Sequence, residues 1–236
     1  MNFKIFDHEQ SDILSPKLPL IHRLSCKQNK GCRVFYEVLK SREWSKYSTA
    51  EEESRWHTEL GVNLSVTFWD KIWGAQKQLI CSNKMKWINL QILRYILPTN
   101  YSVNKYKPTQ DPRCSFCLNH LEKLPYLVWS CPVVRDFWTR VENILNIFFP
   151  EFKLDKKEAI FGDCKSKGNS IINTILIFSK KFIWRQKFGS KNLSALQYKI
   201  FMQNELKFLL DTMQYRENID NFHFEWFDIL HFFGIY

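Results

Sequence analysis

Glycine and proline are scarce in this sequence, with 7 Gly and 8 Pro among 236 residues. β-Sandwiches, barrels and nucleotide-loop folds need these residues for tight turns, so the scarcity argues against all three. No apolar run approaches the roughly 18 residues of a membrane helix. The N-terminus, Met1-Asn2-Phe3-Lys4-Ile5-Phe6-Asp7, lacks a charged segment followed by an apolar one, so secretion is not expected. There is no Gly-rich phosphate loop. Gly162-Asp163-Cys164 fits no nucleophile motif, and His22, His57, His223 and His231 have no Ser or Cys partner at meaningful spacing. Those histidines read as structural, and an independent enzyme finds no support.

What is present is globular in composition: 45% hydrophobic and 25% charged, with 9 Trp, 9 Tyr and 20 Phe. Lys+Arg 34 against Asp+Glu 24 gives a formal charge of +10. That charge is uneven. From Lys71 to Arg113 there are eight cations and one acid, Asp111; between Cys164 and Asn204 there are eight more and no acid. Both stretches carry aromatics, a pattern suited to phosphate contacts with base stacking. Its bland alternative is two ordinary solvated helix faces.

The seven cysteines, Cys26, Cys32, Cys81, Cys114, Cys117, Cys131 and Cys164, are odd in number and unevenly spaced. Without a secretory signal they do not suggest a disulfide framework. Cys114-x2-Cys117 is instead the spacing at which two thiolates meet one zinc, and Cys131 follows fourteen positions later.

Apolar spacing predicts helices along most of the chain. Residues 33–41 form a short one. Another runs from the acidic triplet Glu51-Glu52-Glu53 through Trp56 and Leu60 to a Gly61 cap. Ser65 caps a third, carrying Phe68, Trp69, Ile72, Trp73, Leu79 and Ile80, where the tryptophans read as core rather than as a stacking platform. Met85 to Leu97 is a fourth, stopped by Pro98. Residues 98–113 read as loop. Pro132 opens a helix with Val134, Phe137, Trp138, Val141, Ile144, Leu145 and Phe148 on one stripe. Helices over 156–161, 170–187, from Ser194 to Tyr215, and from Phe222 to Phe233 complete an all-α chain: an irregular helical array with a Cys-rich knuckle loop in the middle. The expected organisation is a poorly ordered 1–30, a helical region 31–110 and a knuckle with C-terminal helices over 111–236, divided near 108–113.

The cysteine segment carries a resemblance. Pro112-x-Cys114-x2-Cys117, a short polar turn, then Leu127-x-Trp129-x-Cys131-Pro132-x-Val134-x2-Phe137-Trp138 resembles the zinc-knuckle region near the C-terminus of LINE-type (non-LTR) retrotransposon polyproteins. The flanks are similar too: Trp56 to Gly61, Phe68 to Ile72, and Lys86-Trp87 through Gln91–Leu97 look like the part after the reverse-transcriptase thumb. Ile160-Phe161-Gly162 and the basic helix Leu176 to Lys187 look like the terminal part, so the likeness covers roughly residues 33–233.

The family's ligand pattern is Cys-x2-Cys-x8-His-x4-Cys. Cys114, Cys117 and Cys131 take its cysteine positions, and the His position falls on Tyr126. Three readings stay open: zinc completed by His120, a metal-free knuckle in which Tyr126 and the cysteines pack, or a three-ligand site with water. The polymerase's paired-aspartate turn is missing, since no adjacent Asp-Asp occurs, and the family's endonuclease is absent too. The resemblance therefore implies an accessory region without polymerase or endonuclease chemistry. It would grip RNA or DNA beside the upstream reverse-transcriptase domain of the same polyprotein, in a nuclear and cytoplasmic ribonucleoprotein with no membrane partner. The candidate phosphate-binding residues are Lys84, Lys86, Arg94, Lys105, Lys107 and Arg113, then Lys180, Lys181, Arg185 and Lys187. Phe116, Tyr126 and Trp129 are candidate stackers. The rival reading is a decayed retroelement fragment acting as a structural or protein-interaction module.

Overall fold

A computed structural model describes residues 50–78, 81–162, 169–189, 192–215 and 219–235. The expected N-terminal segment 1–30, the helix over 33–41, Leu79, Ile80, Cys26, Cys32 and Cys164 lie outside the described residues. Contacts divide the chain into two compact units, Met1–Glu51 and Glu52–Tyr236. The second holds nearly everything described and contains the 108–113 loop. Asn100 Nδ2 donates to Arg113 O at 2.8 Å and Asn104 Nδ2 to Gln110 O at 2.6 Å, tying that loop to the short helix Asn100–Asn104.

The fold is all-α. Its helices are α1 (Ala50–Leu60), α2 (Val66–Gln78), α3 (Asn83–Leu93), α4 (Asn100–Asn104), α5 (Pro132–Phe148), α6 (Lys156–Phe161), α7 (Asn169–Phe188), α8 (Ala195–Tyr215) and α9 (Ile219–Phe232). A π-helical turn, Tyr126–Ser130, precedes α5. Among the described residues the only extended pairing is one bridge, Arg113 with Leu121.

Side chains at the ends explain where the helices start and stop. Ser65 Oγ accepts from Phe68 N ahead of α2, and Ser82 Oγ accepts from Met85 N ahead of α3. Asp155 accepts from the amides of Lys157 and Glu158 at the start of α6. Thr99 and Ser102 form a reciprocal capping box on α4, a helix inside the stretch expected to be loop. α3 stops four residues short of Leu97. Tyr95 turns into the left-handed region (φ 57°), Tyr95 N donates to Ile92 O and Ile96 N to Gln91 O, so the exposed carbonyls are satisfied before Pro98 is reached.

Two apolar clusters build the interior. One joins α5, α7, α8 and α9 around Phe137, Trp138, Phe178, Phe182 and Trp226, and it takes in Cys114 and Cys131. The other gathers Trp56, Trp69, Ile72, Ile92, Leu93, Leu124, Val128 and Phe161. Trp184 on α7 packs against both. Trp69 and Trp73 are stacked at 6.2 Å and Trp69 meets Phe161 edge-on, as a core role requires. His57 Nε2 accepts from Leu64 N at 3.2 Å, a structural duty. Gly162 ends α6 at φ 98°, a backbone conformation that favours glycine, and a Cβ there would lie 2.4 Å from the Asn173 Oδ1 of α7, which would have to shift.

Candidate metal centre and basic surface

The knuckle is a tight return of chain. Arg113 pairs with Leu121, Cys114 N donates to His120 O at 2.8 Å and Glu122 N to Pro112 O at 2.9 Å. Inside it, Leu118 N reaches back to Cys114 O at 3.0 Å while Leu118 itself adopts φ 59°. A branched side chain in that region costs about 1 kcal/mol or more, so the turn is held against its own preference. The third cysteine arrives from the other side. Cys131 N donates to Tyr126 O, closing the π turn, and Cys131 then occupies the N-cap position of α5 with Pro132 behind it.

These two pieces of backbone bring three thiols together. The Sγ atoms of Cys114, Cys117 and Cys131 all lie within 4.8 Å of one another and can hold a metal ion. Cys114 and Cys131 are buried and Cys117 is half-buried. The Tyr126 hydroxyl sits 3.3 Å from Cys117 Sγ. His120 is exposed and does not belong to the group; its ring lies 5.3 Å from that of Tyr126. The expectation that His120 completes the site is corrected: its carbonyl is used to hold the turn, and its imidazole points at the tyrosine instead of the thiols. No other such cluster occurs among the described residues.

Electrostatics divide the thiols. Cys131 is held below the usual thiol range, chiefly by the hydrogen bond from Cys114 and further by the α5 amides of Val134 and Val133. Cys114, the donor in that pair and buried besides, is pushed up. Burial, then its contact with Cys117, raises the Tyr126 phenol. The Cys114 thiol and the α5 N-terminus thus favour negative charge on Cys131 Sγ, while burial favours the neutral form of the Tyr126 phenol.

Sequence reading missed the residue that organises the knuckle. The Glu122 carboxylate is fully buried. Its Oε2 accepts from Ser115 N at 2.8 Å and Ser115 Oγ at 2.7 Å; its Oε1 accepts from Asn100 N at 2.8 Å and from Lys187 Nζ at 2.5 Å. One side chain therefore joins the Cys-x2-Cys turn to α4 and α7. Its only sequence signal is an acid flanked by leucines in Leu121-Glu122-Lys123-Leu124.

The cations separate into surface and interior groups. Lys84, Lys105, Lys107, Arg113 and Arg185 are exposed, while Lys86 and Arg94 are half-buried. Arg113 forks onto Asp111, with Nη2 to Oδ2 at 2.7 Å, in an exposed pair. Lys105 shares a groove with Arg55 and Lys123, two cations absent from the sequence-based set. The second basic group is largely corrected. Lys187 is buried on Glu122, Lys181 is ion-paired with Glu205 at 2.6 Å, and Lys180 is buried with Nζ on Ile160 O at 2.9 Å, leaving Arg185 for solvent. The candidate stackers pack as well: Trp129 is covered by Arg135 at 4.1 Å, Phe116 lies against the core and Tyr126 faces Cys117.

Burial pulls Lys180 down to about 7. Below that pH both folded and unfolded chains hold its proton; above it the folded chain releases the proton and the unfolded one keeps it. Stability is thus expected to rise from pH 7 toward the ordinary lysine range near ~10.4, and Lys180→Met is expected to flatten that rise. Urea unfolding at pH 6 and pH 9 checks this; an unchanged slope in the variant contradicts it.

Among the described residues no helix is long and apolar enough to cross a membrane. Comparison with protein-family models, with curated proteins and with solved structures gives no match in any of the three.

Proposed function

We propose that Glu52–Tyr236 is a nucleic-acid-binding accessory region of the LINE-type reverse-transcriptase kind, in which Cys114, Cys117 and Cys131 hold one zinc ion. One observation carries the reading: three thiols, drawn from a Cys-x2-Cys turn and a helix N-terminus, converge at the positions where the knuckle pattern has cysteines. Soft thiolates favour zinc among the common divalent ions. A zinc there would cross-link the 114–117 turn to α5 and add folding energy. With His120 outside the cluster, water or the Tyr126 oxygen is left for the fourth position. The region's contribution is grip, beside a polymerase core of the same polyprotein, through Lys84, Lys105, Lys107 and Arg185 on the surface.

The metal-free alternative has a specific observation in its favour, the Tyr126 hydroxyl hydrogen-bonded to Cys117 in the place of a ligand.

The nucleic-acid part is tested by fluorescence anisotropy of a labelled single strand titrated with the full chain. Neutralising about four phosphates gives a log–log salt slope near −2.8, or roughly 50-fold weaker binding between ~50 and ~200 mM salt. Absence of binding at ~50 mM salt would falsify the reading.

A further inference from the structure

The exposed cations near the knuckle do not stand on a convex face. A groove of about 530 Å³ opens between α1, the end of α3 and the α4 segment, with Arg55, Tyr101, Lys105, Tyr106 and Lys123 among its walls. Glu59 is its one carboxylate, and that group already accepts the Tyr95 hydroxyl at 3.1 Å. Lys105 and Lys123 bring their ammonium groups over the Tyr101 ring, at 4.8 and 5.7 Å. Tyr106 is 91% exposed, which is unusual for a side chain with so much apolar surface to bury. A second hollow of about 370 Å³, lined by His120, Tyr126 and Lys156, shares Glu59 and Lys123 with the first and so leads on to the knuckle.

We infer that this groove is a binding site for a short unpaired stretch of nucleic acid, with a base stacked on Tyr106 and the flanking phosphates on Arg55, Lys105 and Lys123. The inference rests on the nucleic-acid-binding reading above and gives it a location. The chemistry follows from the wall composition. A purely apolar ligand would make no use of the exposed Lys105 and Lys123 ammonium groups, and a simple anion would make no use of an exposed tyrosine ring. A nucleotide presents a flat π surface and a phosphate together. Duplex bases have their faces covered, so a ring at the rim selects single strands. The Lys105 and Lys123 contacts with Tyr101 are weak and exposed, and they hold positive charge at the groove in the free protein without blocking its transfer to a phosphate. Lys105 belongs to the sequence-based set of candidates; Arg55 and Lys123, from distant parts of the chain, join it only in the fold.

The test uses the full chain with labelled dodecamers of uridine, of deoxythymidine, and a duplex of equal length, at ~50 mM salt. Tyr106→Ala is expected to weaken single-strand binding about tenfold, within the range that loss of one stacked base gives. Tyr106→Phe, which keeps the ring, is expected to bind within about twofold of wild type, and Lys105→Ala with Lys123→Ala to lower the salt slope by about 1.4. Equal weakening for both strands assigns recognition to base and phosphate; a larger effect on uridine adds contact with the 2′-hydroxyl. Because Tyr106 is at the surface, the melting temperature of each variant is expected to match wild type. If Tyr106→Ala binds single strands as tightly as wild type while binding stays salt-dependent, the groove assignment fails and the broader reading stands. If wild type binds none of the three, both fail.

Discussion

Glu122→Gln is expected to destabilise the chain by about 3–5 kcal/mol, the range for removing one partner of a buried ion pair. For a unit of this size that lowers the melting temperature by roughly 6–20 °C. The size of the effect comes from what is left behind. The Lys187 ammonium, with its side chain 3% exposed, would lose its carboxylate and keep the Pro98 carbonyl at 3.4 Å and the faces of Trp184 and Phe188. The glutamine amide nitrogen, a donor, would face either Lys187 or the Ser115 amide and hydroxyl, which are donors themselves. A second replacement, Lys187→Met, removes the stranded charge and is expected to restore part of the loss, because the Ser115 and Asn100 amides still lack their carboxylate. Breaking the Arg113–Asp111 pair is expected to move the melting temperature little, since both groups stand in water and are screened there. Thermal unfolding followed by circular dichroism separates these cases. A Glu122→Gln melt within 2 °C of wild type, a margin of roughly one kcal/mol or less, would show that the buried hub contributes nothing.

Tyr126→His is expected to tighten zinc binding by at least about tenfold, by supplying the fourth protein ligand that closed tetrahedral sites use. The phenol oxygen already lies 3.3 Å from Cys117 Sγ, so the side chain at 126 is on the correct side of the cluster. Neutral imidazole binds zinc readily, whereas a phenol pushed above its usual range gives up its proton reluctantly. Chelator competition in reducing buffer measures the difference. An unchanged affinity would mean that the side chain at 126 cannot reach an ion among the thiols.

Much of the fold was legible because apolar spacing and end residues agreed. The α5 stripe of Val134, Phe137, Trp138, Val141 and Leu145 is buried as its spacing required, and Ser65 and Gly61 end their helices as their chemistry suggests. Where two stop signals competed, the less conspicuous one acted: α3 ends through the left-handed Tyr95 and not at Pro98. The three thiols were legible because each sits on local geometry that spacing encodes, a Cys-x2-Cys turn and a Cys-Pro helix start. The fate of His120 was not, since sequence order says nothing of which way a ring points from a hairpin.

Charge misled for a different physical reason. A lysine in a sequence reads as surface because solvating an ammonium elsewhere is costly. α7 offers substitutes for water: the Ile160 carbonyl takes Lys180, Glu205 takes Lys181 and Glu122 takes Lys187. None of those partners is near its lysine in sequence, so the acid-free run from Cys164 to Asn204 looked like a binding face. Of its described cations, Lys180, Lys181 and Lys187 turn to partners inside the fold, whereas Arg185 and Lys199 are exposed. The 100–107 segment, Asn-Tyr-Ser-Val-Asn-Lys-Tyr-Lys, kept its surface position, and its alternation of tyrosine with lysine is the sequence trace of the groove.

The most direct measurement is the zinc content of the full chain purified under reducing conditions, alongside Cys117→Ser. The expected result is one zinc per chain in the wild type, lost or sharply reduced in the variant, with a lower melting temperature after chelation. A wild-type chain that takes up no zinc and melts at the same temperature with and without chelator would contradict the account. Cys114, Cys117, Cys131 and Tyr126 would then form a metal-free packing cluster.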